Sequence, residues 1–558
     1  MMIACGTSGK LAKLVVTGDD KTVRERPPNA RPSSPQSTQI LFLALDGVSR
    51  DMLYELLRQG KLPNLAALIG GDGLAHAHLD DTLLSNLPST TMPAWVSVLT
   101  GVGAAEHGVP GNEYFVRERR ELVCPAPVSF NDAAPTLAVY TDEYVNKQVT
   151  VPSIYERIHE HDPHALVWVG MNHFFRGADK LVLTKRNVLA RAFEGFIESE
   201  LDKVEGEKSR RLYQDLDEGA VDAMITQLGG DGALPDVLTL YLSGTDLYAH
   251  VAHEGPDDAR KTYLIEVVDP ALGRLVKRLR DKRALANRWV IVSADHGHTQ
   301  ILHDNQHAIG TGADAAPGVL TRTGFRVRPF KQKVDDKEPF SAVMAYGGPM
   351  AYVYLADRSR CADAKDVCPW QLPPRYREDV LAAADAFYRA NQTGHLVPSM
   401  KGKLDMIFVR RPRPAAEVDL PFEVYVGKGK TMPIDDYLRA HPHPTYVALT
   451  ERMKELAVGK YGERAGDILL LAHNGDRDRP EERFYFAEPY RSWHGSPSKL
   501  DSEIPLIVAH PRRTSSQIAA WVKPLLGEQP YQRKIADIIM KLRKSPPNDE
   551  ATAETARR

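Results

Sequence analysis

The sequence predicts an α/β fold, a doubly wound and mostly parallel sheet flanked by helices, with a smaller α+β subdomain inserted into it. Several short runs are continuously apolar rather than alternating, the pattern of strands buried on both faces. Helical stretches lie between many of them, as in a sheet wound on both sides. Between about residues 320 and 460 this rhythm breaks, with more Pro and shorter strands.

In chain order, residues 1–39 read as a disordered tail, because 27–37 is rich in Pro, Ser and Arg like a flexible tether. Residues 40–320 form the main α/β core. Its expected strands are 40–45, 166–169, 237–242 and 289–293, with helices at 52–60 and 265–282. Residues 321–460 form the smaller insert, which holds the Cys361 and Cys368 loop and short strands such as 351–355. Residues 461–545 complete the core, with 468–471 and 504–508 as further buried parallel strands, and the polar residues 546–558 are a disordered tail.

The length of 558 residues and the 43% hydrophobic and 26% charged content are those of a soluble globular protein. Lys plus Arg (71) nearly balances Asp plus Glu (73), so no basic face is advertised for nucleic acid or an anionic membrane. The cluster from Arg410 to Arg413 is broken by Pro412 and reads as a solvated strand end. No stretch approaches the roughly 20 apolar residues that cross a bilayer. Met1-Met2-Ile3-Ala4-Cys5-Gly6 has the small residue before cysteine of a lipoprotein signal, without room for an apolar signal core. Two readings stay open: an ordinary cytosolic start, or a start assigned too late that hides an export signal and a lipid anchor at Cys5. Cys361 and Cys368 are spaced for a local disulfide and hence an oxidising compartment, two free thiols being the alternative. No CxxC pair exists, which argues against a cysteine metal site. Nothing in the sequence sets an oligomeric state.

Three of the expected strands run into an aspartate: Asp46-Gly47, Ser243-Gly244-Thr245-Asp246 and Asp295-His296-Gly297-His298. Ligands of an open α/β sheet bind beyond the carboxyl ends of its strands, so these acids converge on one crevice. A single such Asp usually caps the next helix; three, two of them with histidines, point to metal. Asp246 and His250 stand one helical turn apart and can face one ion. Asp295 and His296 are adjacent, and Gly297 permits the irregular backbone that lets both point together. Imidazole plus carboxylate without thiolate suits zinc or manganese. Trp493-His494-Gly495 precedes another apolar strand and offers a further ligand. In Leu87-Pro88-Ser89-Thr90-Thr91-Met92-Pro93-Ala94-Trp95, Pro93 fits a first helical turn. Thr91 then stands at the helix start beside N–H groups that favour anions, or Thr90 or Thr91 is merely an N-cap.

This ordered set resembles the alkaline phosphatase superfamily, and within it the type I phosphodiesterase and nucleotide pyrophosphatase family. The matching pieces are Leu45-Asp46-Gly47, the Pro88–Pro93 stretch, Leu99-Thr100-Gly101, Glu106-His107-Gly108-Val109, Asp246 with His250, Ser293-Ala294-Asp295-His296-Gly297 and His494-Gly495. The resemblance implies two divalent ions, zinc by family, with manganese as the alternative. One would be held by Asp246, His250 and His494, the other by Asp46, Asp295, His296 and the Thr91 oxygen. It also implies hydrolysis of phosphodiesters or pyrophosphates on small phosphorylated substrates through a covalent phosphothreonine at Thr91. Three residues after the nucleophile, where the pattern implies an asparagine that binds a phosphate oxygen, stands Ala94; Asn112 is the candidate substitute.

Three alternatives share these residues: a phosphomonoesterase, a phosphonate hydrolase and a non-catalytic binder of phosphorylated ligands. Monoesters call for an extra cation, and no arginine adjoins Thr91. Gly429-Lys430-Thr431 lacks the glycine a phosphate loop needs at Val424. Asn474-Gly475-Asp476-Arg477-Asp478 lacks the later residues of a calcium loop. His441 and His443 read as an extended loop, and His253 and His298 as possible substrate contacts.

Overall fold

The computed structural model describes residues 20–25, 38–132, 134–185, 188–189, 191, 206–230, 233–412 and 420–544. Cys5, the tether at 27–37, Arg413 and the tail at 546–558 lie outside the described residues.

An eight-stranded sheet forms the centre, in the order Asp20–Thr22, Lys180–Val182, Val167–Gly170, Val237–Leu242, Gln39–Leu45, Arg288–Ala294, Leu506–Ala509, Ala77–Asp80. The run from Lys180–Val182 to Arg288–Ala294 is parallel. Residues 40–45 lie in its middle and are buried throughout, since strands pair on both edges and helices cover both faces. The register sets Leu45 opposite both Leu242 and Ala294, so the chain leaves three adjacent strands side by side at Asp46, Ser243 and Asp295.

Three expectations need correction. Leu506–Ala509 pairs antiparallel with Arg288–Ala294 and with Ala77–Asp80. Continuous apolarity reports burial on two faces and not strand direction. Ile468–Ala472 is absent from this sheet altogether. It lies inside a six-stranded antiparallel sheet, between Met350–Leu355 and Leu404–Arg410. Its apolar run is explained by two cores, Ile468, Leu470 and Ala472 packing with Phe387 on one face and Leu469 and Leu471 with Met453 on the other. The inserted unit therefore reaches past residue 460. Finally, Asp20–Thr22 is an edge strand antiparallel to Lys180–Val182, within the stretch expected to be tail.

The remaining strands of the second sheet are Ala342–Gly347, Phe422–Gly427 and Lys430–Met432. Cys361 and Cys368 are bridged at its periphery. No described helix is long and apolar enough to cross a membrane.

Candidate metal centre

The three strand ends deliver Asp46, Asp246 and Asp295 into one buried cluster. Gly47 lies at φ +68°, and a Cβ there would meet His298 Nε2 at 2.8 Å and Asp246 Cβ at 2.9 Å. Its N–H donates to Asp295 Oδ1 at 3.1 Å, so only glycine lets these turns approach. Asp246 and His250 share the helix Gly244–Val251. The start of that helix is pinned by buried Asp217, which accepts from Ser243 N and Gly244 N at 3.1 and 3.0 Å.

Thr91 is the first residue of the helix Thr91–Thr100. Trp95 anchors this helix to the sheet, its ring packing edge-on to Phe42 and Tyr241 at 6.1 and 5.7 Å. Thr90 is the N-cap residue, but its side chain makes no capping hydrogen bond. Thr91 Oγ1 lies 3.2 Å from His296 Nε2. His494 follows the strand Ser492–Trp493, and Gly495 at φ +116° turns the chain where a Cβ would meet Gly347 O at 2.3 Å.

Two ligand sets result. Asp246, His250, His298 and His494 each bring a ligand atom within 4.8 Å of the others, as do Asp46, Asp246 and His296. His296 Nε2 is 3.4 Å from both Asp46 Oδ1 and Asp295 Oδ2, while Asp246 Oδ1 is 3.4 Å from His250 Nε2 and 3.5 Å from His494 Nε2. Each imidazole is held by its other nitrogen. His250 Nδ1 donates to Ser492 O (2.8 Å), His494 Nδ1 to Ser89 O (2.8 Å) and His296 Nδ1 to Gly297 O (3.0 Å). A carbonyl can only accept, so these contacts set one tautomer and leave the Nε2 lone pairs facing inward, as metal-binding histidines require.

Charge completes the case. Burial, and then the charges of Asp295 and Asp246, push the Asp46 carboxyl well above the usual range. Burial likewise raises Asp295. Asp46 Oδ1 and Asp295 Oδ2 are buried without a hydrogen-bond partner. Crowded carboxylates with orphaned oxygens and inward imidazole lone pairs fit divalent cations.

The family model for type I phosphodiesterase / nucleotide pyrophosphatase matches residues 40–383. The chain belongs to this family. An uncharacterized pyrophosphatase/phosphodiesterase of Schizosaccharomyces pombe is 25% identical over 270 residues, 47% of this chain and 45% of that protein, so the chain spans under half of that relative's length in the match. Among solved structures, murine ectonucleotide pyrophosphatase / phosphodiesterase 5, as an inactive form in complex with AMP, aligns with a TM-score of 0.47 and 13% identity over 90% of this chain and 94% of that one. The human protein of the same name aligns with a TM-score of 0.46 and 13% identity over 85% and 88%.

In this member of the type I phosphodiesterase family, a cavity opens onto the cluster. Asp46, Thr91, Asp246, His250 and His494 form its polar end, and Met92, Phe130, Met171, Leu216, Leu247 and Trp493 much of its apolar wall. Asn112 lines it too, its Oδ1 accepting from Met92 N at 3.0 Å. No lysine or arginine is among the lining residues. The structure thus gathers Asp46, Thr91, Asp246, His250, Asp295, His296 and His494, and sets Asn112 beside them. His253 is exposed and outside the cavity.

Sequence reasoning undervalued His298, whose Nε2 is 2.7 Å from Asp246 Oδ1. Its position in Asp295-His296-Gly297-His298 was the available signal. Tyr241, whose hydroxyl donates to Asp46 Oδ2, gave none beyond its place near a strand end. Asp501 was missed as well. It accepts from Ser496 N, Ser496 Oγ and Thr299 Oγ1 at 2.9, 2.6 and 2.7 Å, tying the His494 loop to the Asp295 loop.

Proposed function

We propose that the protein hydrolyses phosphate esters, namely phosphodiesters or pyrophosphates, through a covalent phosphothreonine at Thr91. The observation that carries this is Thr91 Oγ1 at 3.2 Å from His296 Nε2, at the start of a helix and at the mouth of a carboxylate–imidazole cluster. Asp46, Asp295 and His296 with the Thr91 oxygen would hold one divalent ion, and Asp246, His250 and His494 the other, with zinc favoured by the imidazole and carboxylate donors. Bound there, such ions supply Lewis acidity towards a hydroxyl and a phosphoryl oxygen.

The chain's own groups do the positioning. Thr91 Oγ1 bonds to phosphorus as the P–O bond to the leaving group breaks; water then displaces Oγ1 and restores the free threonine. In the first helical turn Met92 N donates to Asn112 Oδ1, Ala94 N donates to Thr90 O and Pro93 has no N–H, which leaves Thr91 N as the backbone donor for a phosphoryl oxygen. Asn112, its Oδ1 engaged by Met92 N, keeps its Nδ2 protons as donors to a phosphoryl oxygen, the part Ala94 cannot play. The apolar wall seats the leaving group and excludes water.

A monoester carries a second negative charge, and no cation lines the cavity to meet it, whereas Asp132 does line it. This favours diesters over phosphomonoesters and phosphonates. The Cys361–Cys368 bridge supports an exported protein, since such bridges persist in oxidising compartments.

The test is turnover of the zinc-loaded protein on an aryl diester, monoester and phosphonate, with a chiral phosphorothioate diester to read stereochemistry. Diester preference with retention at phosphorus is expected, because two displacements restore configuration. Inversion would overturn the threonine nucleophile.

A further inference from the structure

A second cluster of metal-ligating side chains lies outside the cavity, where two inner strands of the six-stranded sheet, Leu404–Arg410 and Ile468–Ala472, begin and end. Asp405, His443 and Asp476 bring ligand atoms within 4.8 Å of one another. None of them lines the cavity that opens onto Thr91. Asp405 is the extra residue where the pairing of Leu404–Arg410 with Ile468–Ala472 slips between Leu404 and Met406. A bulge turns its side chain off the ladder and re-aims it. His443 comes from the loop after the helix Ile434–Ala440, and His473 and Asp476 from the loop after Ile468–Ala472.

Asp405 meets both imidazoles at the separation of ligands around an ion, not at hydrogen-bond distance. Asp405, with its side chain 5% exposed, faces His443 Nε2 at 3.6 Å and His473 Nδ1 at 3.7 Å through Oδ1, both beyond hydrogen-bond reach. Donor atoms of a tetrahedral site with bonds of about 2.0–2.1 Å stand roughly 3.3 Å apart. The carboxylates are held in place: Tyr446 OH donates to Asp405 Oδ2 at 2.6 Å, and Asn474 N to Asp476 Oδ1 at 2.7 Å. His473 Nδ1 is 2.8 Å from Asp476 Oδ2. The cation already present is Arg477, whose Nε is 3.1 Å from Asp476 Oδ2; its side chain is 44% exposed and can swing to solvent.

We infer that Asp405, His443 and Asp476 bind a divalent transition ion of the zinc type in a structural role, with His473 holding the Asp476 carboxylate in place. Two carboxylates balance its charge, and the mixed oxygen and nitrogen set excludes a preference for calcium or magnesium. The ion joins three segments, of which the His443 and Asp476 loops abut the loop carrying His494. Val447 N donates to Pro497 O at 3.1 Å, Lys499 N donates to Thr445 O at 2.9 Å, and Gly475 packs so closely that a Cβ would meet Ser498 Oγ at 2.1 Å. The site braces that loop from behind without touching substrate.

The test measures zinc in the full chain by elemental analysis after chelation, zinc reloading and dialysis, alongside the thermal midpoint with and without zinc. His443→Ala and Asp476→Asn are each expected to carry about one zinc equivalent less than the parent and to lose part of the zinc-dependent rise in midpoint. His250→Ala, at the other centre, should lose its own equivalent and keep this one, which separates the two sites whatever the activity. His443 lies in a loop, so His443→Ala alone decides the matter if Asp476→Asn fails to fold. Equal zinc content and an equal zinc-dependent midpoint in the parent and His443→Ala would overturn the inference.

Discussion

Arg452 offers the sharpest test of how the site is held. It projects from the helix Leu449–Ala457, is 1% exposed, and donates to Asn86 O at 2.7 Å, Ser89 Oγ at 2.8 Å and Ser502 Oγ at 2.9 Å. Longer contacts reach Val447 O and Pro497 O at 3.3 and 3.4 Å. Replacing it by Met removes three hydrogen bonds from a charged donor, each worth about 1.5–3 kcal/mol. Against that stands relief of the buried guanidinium, whose desolvation is large enough to pull its pKa down to about 10. Setting several kcal/mol of relief against the lost bonds leaves a net destabilisation of about 3 kcal/mol. Turnover should fall further than stability, because Ser89 O also orients His494. Arg452→Lys keeps the charge but loses the planar fork, so its stability should be intermediate and its turnover near that of the Met variant. Urea denaturation and kcat measure both. An Arg452→Met protein with parental stability and turnover would refute the clamp.

Thr91→Ala should abolish turnover and phosphothreonine trapping while zinc content holds, and Thr91→Ser should retain substantial activity; an active Thr91→Ala protein would sink the nucleophile. Thr90→Ala should cost under about 1 kcal/mol in denaturation, since no cap bond is lost. Glu113 is driven up to about 7 by burial, against four donors from Tyr346, Val128 and Ser129. Its native state therefore binds the proton more tightly than the unfolded chain, and stability falls as pH rises from about 4.5 to 7, by up to about 3 kcal/mol. Glu113→Gln should flatten that slope in denaturation at pH 5 and 8, and a parental slope no steeper than the variant's would be the contrary result. Trp95→Ala removes the anchor between the Thr91 helix and the sheet and should cost about 3–5 kcal/mol, read by thermal denaturation.

Much of the core was legible because its signals are local. An apolar run ending in Asp-Gly or Asp-His reports both a buried strand and what lies at its carboxyl end, so Asp46, Asp246 and Asp295 could be placed together before any coordinates. Direction and partner are not local. The runs at 468–472 and 506–509 read alike, yet one is central to a second sheet and the other antiparallel in the first, because apolarity counts covered faces only. The cluster at Asp405 was illegible for a different reason. Its aspartate is aimed by a bulge, a property of strand pairing, and His443 lies far along the chain in a His-Pro-His-Pro run that reads as loop.

The two ligand sets are also less separable than their sequence motifs. Asp246 belongs to both clusters, contacting His250, His298 and His494 while lying within ligand distance of Asp46 and His296. Ser89, in the turn that leads to Thr91, takes the proton of His494 Nδ1 on its carbonyl and a guanidinium proton of Arg452 on its hydroxyl. A shift of the turn that leads to Thr91 therefore rotates the His494 imidazole, and a shift of His494 pulls on Thr91. Substitutions at Ser89 or Arg452, neither of which lines the cavity, must act on the positions of Thr91 and His494 together. Independent tuning of the two is open to residues such as Tyr241, which lines the cavity and hydrogen-bonds Asp46 without touching the Ser89 turn.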